Sequence, residues 1–290
     1  MKIIDAESTR RALPFDRLIP ALKDMFIAGC EVPLRHTHTL SAGDGSTGTV
    51  LIMPAWQGRF LGIKTINIFP GNAARGLPGL FATYLLYDAT TGEPLAQIDG
   101  NEITARRTAA ASALAASKLV RPEARRLLVI GRGRVGSLLP EAYRAVLPID
   151  TVTVWHRGSG LSLEHAVREA DIVSCATLSE APLVRGEWLR PGSHVDLIGS
   201  FTPRMREADD ACFAGAAIYV DTEEALVKSG DLIGPIARGV FTPADVRGTL
   251  ATLCRGTAPG TSHAGERTVF KSVGTALEDL AAAMLVFAAG

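Results

Sequence analysis

The feature that most constrains this chain is a triplet of glycines at fixed spacing, Gly131-Arg132-Gly133-Arg134-Val135-Gly136, directly behind the apolar run Leu127-Leu128-Val129-Ile130. A short, uninterrupted apolar run is what a strand buried on both faces of a parallel sheet requires. Residues 134–146 carry a helical pattern, so the glycines sit at a strand-to-helix turn. In that setting Gly131 allows the tight turn and Gly133 lets the backbone approach a diphosphate. Gly136 lets the helix pack closely on the strand. The free N–H groups at the start of such a helix favour an anion. The pattern therefore predicts a dinucleotide site involving Gly131, Gly133, Arg134, Val135 and Gly136.

The residues beyond the turn support the same architecture. Strand-like runs at 151–155, 172–176, 194–198 and 217–220 alternate with a helical piece at 163–170 and a turn at Arg190-Pro191-Gly192. Strands alternating with helices imply an α/β fold with a parallel, doubly wound sheet of the Rossmann type. The side chain that reads the adenosine ribose is expected about 20 residues past the turn. Counting on from Gly136 reaches His156 and Arg157, with no carboxylate to grip a ribose hydroxyl. Arg157 suits a 2′-phosphate, helped by Arg132 or Arg134, because a guanidinium pairs with phosphate through charge-assisted hydrogen bonds. This favours NADPH, with NADH as the alternative.

The first half reads differently. Residues 15–30 look helical, with Leu18, Leu22, Met25 and Phe26 on one face, whereas 1–45 as a whole is mixed. Runs at 49–53, 60–68 and 82–87 are separated by the turn residues Gln57-Gly58, Pro70-Gly71-Asn72 and Thr91-Gly92. This predicts a mostly antiparallel sheet. An Ala-rich helix follows over 101–119, stopped near Pro122. The tail from Thr268 shows helical period.

At 290 residues and 47% hydrophobic content the chain can bury two cores. Thirty basic and thirty acidic side chains cancel, which argues against nucleic acid or an anionic membrane as the main partner. Cys30, Cys175, Cys212 and Cys254 show no paired spacing, so reduced, mostly buried thiols and a cytoplasmic setting are expected. His36 and His38 have no third ligand at useful spacing, so no metal site is expected. The start of the chain shows no apolar secretory core, and no apolar run reaches about 18 residues.

Several segments resemble the ornithine cyclodeaminase/mu-crystallin family. They are Gly62-Ile63-Lys64, Pro70-Gly71-Asn72, Gly76-Leu77-Pro78-Gly79 and Asp88-x-x-Thr91-Gly92-x-Pro94. With them go Thr104-Ala105-Arg106-Arg107-Thr108-Ala109-Ala110, Tyr219-Val220-Asp221-Thr222 and Thr268-Val269-Phe270-Lys271-Ser272-Val273-Gly274, with Leu277-Glu278-Asp279 behind. The likeness covers about residues 30 to 287. It implies a Rossmann domain over 119–267 that binds NAD(P). It also implies a second α/β domain, over 1–118 and 268–290, that binds substrate and forms a homodimer through its sheet. The resemblance further implies substrate contacts from Arg35, Lys64 and Arg107, with Lys64 catalytic, and places Thr108 and Ser200 among the cofactor contacts. Three cations suit an anionic imino or amino acid, since Arg holds a carboxylate with two parallel hydrogen bonds. Lys64 lies in a largely apolar stretch, where burial would lower its pKa and fit it for proton transfer.

The family's cyclodeaminases carry an Asp after a Gly-Gly pair at the end of a Rossmann strand. The matching run here is Ile198-Gly199-Ser200-Phe201-Thr202-Pro203, and Phe201 cannot accept a proton. Ser200 and Arg206-Glu207-Ala208-Asp209 are similar to the reductase and mu-crystallin branch. The resemblance then implies reduction of a cyclic ketimine carboxylate, 1-pyrroline-2-carboxylate to L-proline or 1-piperideine-2-carboxylate to L-pipecolate. The alternatives are an NAD-linked alanine dehydrogenase, an ornithine cyclodeaminase and a non-catalytic ligand-binding protein of the mu-crystallin type. One departure is Gly79-Leu80, where many relatives place a polar side chain; Thr83 is the candidate to compensate.

Overall fold

The computed structural model describes residues 1–41, 45–261, 263 and 265–290. The chain begins with β1 (Lys2–Ile4), α1 (Ala6–Ala12), α2 (Phe15–Ala28), β2 (His36–Ser41) and β3 (Thr47–Gln57). β4 (Phe60–Ile68), β5 (Leu80–Asp88), β6 (Pro94–Asp99) and α3 (Gly100–Leu119) follow. Next come β7 (Arg126–Ile130), α4 (Leu139–Arg144), β8 (Thr151–Trp155), α5 (Leu163–Glu169), β9 (Ile172–Cys175) and β10 (His194–Leu197). The chain continues through β11 (Ala217–Val220), α6 (Ala225–Lys228), α7 (Gly230–Ala237), β12 (Val246–Thr249) and α8 (Leu250–Arg255), to β13 (Thr268–Lys271) and α9 (Ala276–Ala289). These elements form two compact units, Met1–Arg107 with Thr275–Gly290, and Thr108–Gly274.

The first unit contains a six-stranded sheet in the order β1-β6-β5-β4-β3-β2. Its pairs are antiparallel except for β1 on β6, in keeping with the mostly antiparallel sheet expected from the turn residues. Strand alternation divides its residues between two faces. One face carries the buried Met53, Ala55, Ile66, Tyr84, Leu86, Ala96 and Ile98. α9 packs across β3 and β4 and against α2. From α2, Leu18, Leu22, Met25 and Phe26 are buried, the stripe read from the sequence. Each such large side chain withdrawn from water contributes about 1.5–3 kcal/mol. The opposite face leaves Trp56, Phe81 and Leu40 substantially exposed.

The second unit is built on an all-parallel seven-stranded sheet, ordered β12-β11-β13-β10-β9-β7-β8. Its core joins Leu128, Ile130, Val173, Cys175, Val195, Leu197, Ile218, Val220 and Val269. β9, β10, β11 and β13 are buried along their whole length, as expected of central strands in a parallel sheet covered on both faces. From β7 the chain steps to β8 on one side and then to β9 on the other. In open α/β sheets the crevice beyond the carboxyl ends of the strands at such a reversal is where ligands bind.

Three sequence expectations are corrected. The helix expected over 134–146 is regular only in α4, because Pro140 has no N–H to donate to the carbonyl of Gly136 and the preceding turn stays irregular. Thr268–Lys271 is not helical: it is β13, paired with β10 and β11. The domain boundaries move accordingly, since β13 belongs to the parallel sheet and the first division falls inside α3, between Arg107 and Thr108. A helix running through that point shows no break in its sequence. β1, β2, β6 and β12 escaped the sequence reading, being short or polar.

Candidate functional site

In the second unit the glycine turn sits at the end of β7. The Gly131 N–H donates to the Trp155 carbonyl at 2.9 Å, tying the turn to the end of β8. Gly131 has φ 113°, and a Cβ there would lie 2.4 Å from the Ala176 carbonyl oxygen, just past β9. Only glycine accepts that backbone and that approach. A Cβ on Gly136 would stand 2.4 Å from the Gly131 carbonyl oxygen, so the turn closes onto its own start. A Cβ on the exposed Gly133 would meet nothing within 4 Å. The turn is therefore tight at both ends and open in the middle, the shape needed to admit a phosphate against bare backbone. Arg132 and Arg134 are exposed beside it and Val135 is half-buried.

His156 and Arg157 follow directly on β8. The His156 ring nitrogen Nδ1 lies 2.9 Å from the Arg157 carbonyl, while Arg157 itself is exposed. Ser200, expected at the cofactor, has its hydroxyl directed inward. The Ser200 Oγ donates to the Met205 carbonyl at 2.6 Å, meets Ser229 Oγ at 2.9 Å and accepts from the Asp231 N–H at 3.3 Å. A fully buried hydroxyl with those partners braces the loop that follows β10, where the sequence reading expects a cofactor contact. Phe201 beside it is 38% exposed, so the position that a cyclodeaminase fills with an acid presents a ring.

A residue whose part the sequence did not reveal holds the strand ends together. Glu207 Oε1 accepts from the Thr177 N–H at 2.7 Å and its hydroxyl at 2.8 Å, and Oε2 accepts from the Gly199 N–H at 2.6 Å. One buried carboxylate thus clamps the loops after β9 and β10. Burial pushes it up to about 7, although Lys271 opposes that shift. The sequence offered no signal beyond the run that contains Glu207, because its partners are far along the chain.

The first unit holds a different cluster. β4 places Lys64 opposite Met53 of β3 and Tyr84 of β5, on the face that α9 covers. Lys64 is fully buried, and its Nζ lies 2.6 Å from Asp279 Oδ2. Arg107, 6% exposed on α3, donates through Nε to Asp279 Oδ1 at 2.9 Å and through Nη1 to Glu278 Oε2 at 2.6 Å. Two cations therefore face two carboxylates, and Glu278 and Asp279 are both fully shielded. Burial lowers Lys64 to about 8, with Arg107 acting in the same direction and Asp279 against it. For Asp279 burial raises the pKa, but Lys64 and Arg107 outweigh that and hold it below the usual carboxylate range. Burial pushes Tyr84 well above the usual phenol range, and its hydroxyl makes no hydrogen bond among the described residues. That hydroxyl reaches over Gly62, where a Cβ would be 1.8 Å away.

The expectation for Lys64 thus has its physical basis. Arg107, expected at the substrate carboxylate, has part of its guanidinium engaged by the acids of α9. Arg35 is half-buried immediately before β2, and Thr108 is half-buried on α3. His36 and His38 are exposed on β2. Among the described residues no group of three or more His, Cys, Asp or Glu gathers to hold a metal. Cys30 is half-buried, Cys175, Cys212 and Cys254 are buried, and none of the four is in a disulfide among the described residues. No helix among the described residues is long and apolar enough to cross a membrane.

Comparison with known proteins agrees with this geometry. Residues 33–161 and 158–289 match the ornithine cyclodeaminase/mu-crystallin family. A Delta(1)-pyrroline-2-carboxylate reductase of Paracoccus denitrificans is 43% identical, over 85% of this chain and 87% of its own. The structure of the Thermococcus litoralis Delta(1)-pyrroline-2-carboxylate reductase, in complex with NADH and L-proline, superposes with a TM-score of 0.92 at 28% identity, covering 99% of this chain and 97% of that one. An archaeal alanine dehydrogenase dimer with bound NAD gives 0.90 at 29% identity, covering 99% and 95%. With a Rossmann-like parallel sheet, an intact glycine turn and family sequence across nearly its whole length, the chain belongs to the ornithine cyclodeaminase/mu-crystallin family.

Proposed function

We propose that this protein is a reductase of cyclic ketimine carboxylates that uses NADPH. The observation that carries the proposal is the buried Lys64–Arg107 pair, held by Asp279 and Glu278, in a chain with Phe201 at the cyclodeaminase position. The pyrroline-2-carboxylate reductases among its relatives support the reading. The substrate is 1-pyrroline-2-carboxylate, reduced to L-proline, with the six-membered 1-piperideine-2-carboxylate as a second ring.

Reduced nicotinamide supplies the hydride when bound. The turn from Gly131 to Gly136 fits its diphosphate, and Arg157 fits an adenosine 2′-phosphate because it is exposed and cationic where the sequence after β8 carries no carboxylate. Arg35 and Arg107 hold the substrate carboxylate and so fix the imine carbon, since positioning a reactant in one geometry removes much of the entropic barrier. Lys64 delivers a proton to the ring nitrogen. That nitrogen gains electron density as the carbon is reduced, so the proton is needed at the same moment. The exposed face of the first sheet makes a homodimer, and the protein acts in the cytoplasm.

The experiment is a steady-state comparison of purified protein with each imine, L-ornithine and L-alanine, using both NADPH and NADH. The expected result is rapid NADPH oxidation with 1-pyrroline-2-carboxylate, stoichiometric L-proline, and no ammonia from ornithine. Conversion of ornithine to proline with ammonia release would overturn the assignment, as would inertness toward every cyclic imine.

A further inference from the structure

We propose that Asp279 is a positioning residue for this reaction, holding Lys64 both charged and correctly aimed so that its proton is available at neutral pH. The inference rests on the reading of Lys64 as the proton source.

An ammonium group wholly removed from water tends to lose its proton unless an opposite charge compensates. Lys64 is in that position, with its Nζ 2.6 Å from Asp279 Oδ2. The charged and titratable groups around it come from three elements. Arg107, from α3, disfavours a second cation. Tyr84, across the register on β5, stays a neutral phenol because burial disfavours its anion. From α9 come Asp279 and Glu278, both of which favour the ammonium, Asp279 the more strongly. Glu278 Oε2 faces Arg107, whereas Asp279 divides its two oxygens between the two cations, Oδ2 toward Lys64 and Oδ1 toward Arg107 Nε. A carboxylate bridging both cations sets their spacing as well as the charge on Lys64.

α9 supplies further support. Asp279 lies in the first turn of a fourteen-residue helix whose N-cap is Thr275. A carboxylate near a helix N-terminus is favoured as an anion by the helix dipole. Lys64 and Arg107 outweigh burial and keep Asp279 ionised, the helix terminus acts in the same direction, and an ionised Asp279 keeps the proton on Lys64.

The test is the dependence of kcat on pH with 1-pyrroline-2-carboxylate. Lys64 must carry its proton to deliver it, so wild-type kcat should fall as pH rises through about 8. Asp279→Asn removes the favourable charge and leaves Arg107 in place. The fall should then move to lower pH by about one pH unit or more. Asp279→Glu should leave the fall near its wild-type position but reduce kcat, because the longer side chain displaces the ammonium. Glu278→Gln should move the fall much less than Asp279→Asn. Thermal melting and NADPH titration establish that each variant is folded. An unshifted pH profile in folded Asp279→Asn would overturn the proposal. If that variant does not fold, wild-type protein with 13C-labelled aspartate decides the matter. The Asp279 carboxyl resonance should move at the pH where kcat falls, and a flat resonance there would equally overturn the proposal. Lys64→Met with near-normal kcat would instead remove Lys64 as proton source, a failure the resonance measurement does not share.

Discussion

The residues proposed for the chemistry differ in how far the sequence alone could identify them. Lys64 was visible as a cation in an apolar stretch and Arg107 through the family resemblance, and the structure buries both. Their acids were hidden as partners: Glu278 and Asp279 stand far along the chain, and nothing local says which cations they meet. Two carboxylates in a helix otherwise made of Ala, Leu, Met, Val and Phe were the available clue, since such groups are buried only when paired. Ser200 differs again. Its position in the motif was legible, but the direction of its hydroxyl depends on Met205 and Ser229. Arg157 leads to a prediction at this same scale. It is exposed at the end of β8, so removing its side chain should leave the fold intact. Arg157→Ala should raise KM for NADPH about ten- to a hundredfold, the effect of losing a charge-assisted contact of about 1.5–3 kcal/mol, with KM for NADH almost unchanged. Steady-state kinetics with both cofactors measure this, and equal effects on the two would remove Arg157 as the reader of the 2′-phosphate.

Among the elements, those with a clear period were legible: α2, β4, β8 and most of α3 lie close to where the sequence placed them. β13 was not, because four residues buried on both faces carry no alternation, and its neighbour α9 lent the segment a helical period. The glycine turn was recognised by spacing, but its three glycines do different work. Gly133→Ala places a Cβ in open space on an ordinary backbone, so the melting temperature should hold while NADPH affinity falls. Gly136→Ala drives a Cβ toward the Gly131 carbonyl at 2.4 Å, so both should fall, with a stability loss of about 1–3 kcal/mol. Thermal melting beside fluorescence titration separates the two. A Gly133→Ala protein with wild-type NADPH affinity would show that the open middle of the turn is not the phosphate cradle.

For the whole molecule, the two kinds of sheet were read correctly from the chain, while the boundary between units was not, because α3 runs through it. The open face of the first sheet carries Trp56, Phe81 and Leu40, a group of large apolar side chains that a second copy would cover. Phe81→Glu should therefore convert a dimer to a monomer in light scattering, because it sets a charge on that open face without entering either core. A wild-type protein that is already monomeric at micromolar concentration would rule out that interface. The order of synthesis adds a further consequence of the Lys64–Asp279 pair. Residues of the first unit leave the ribosome both before and after the whole second unit. While the parallel sheet is being made, the nascent first unit already holds Lys64 and Arg107 but lacks α9, so two cations wait without the acids that neutralise them. The second unit is free to fold during translation. The first cannot close over its charged centre until Glu278 and Asp279 arrive, so the Lys64–Asp279 pair is among the last features of the molecule to form.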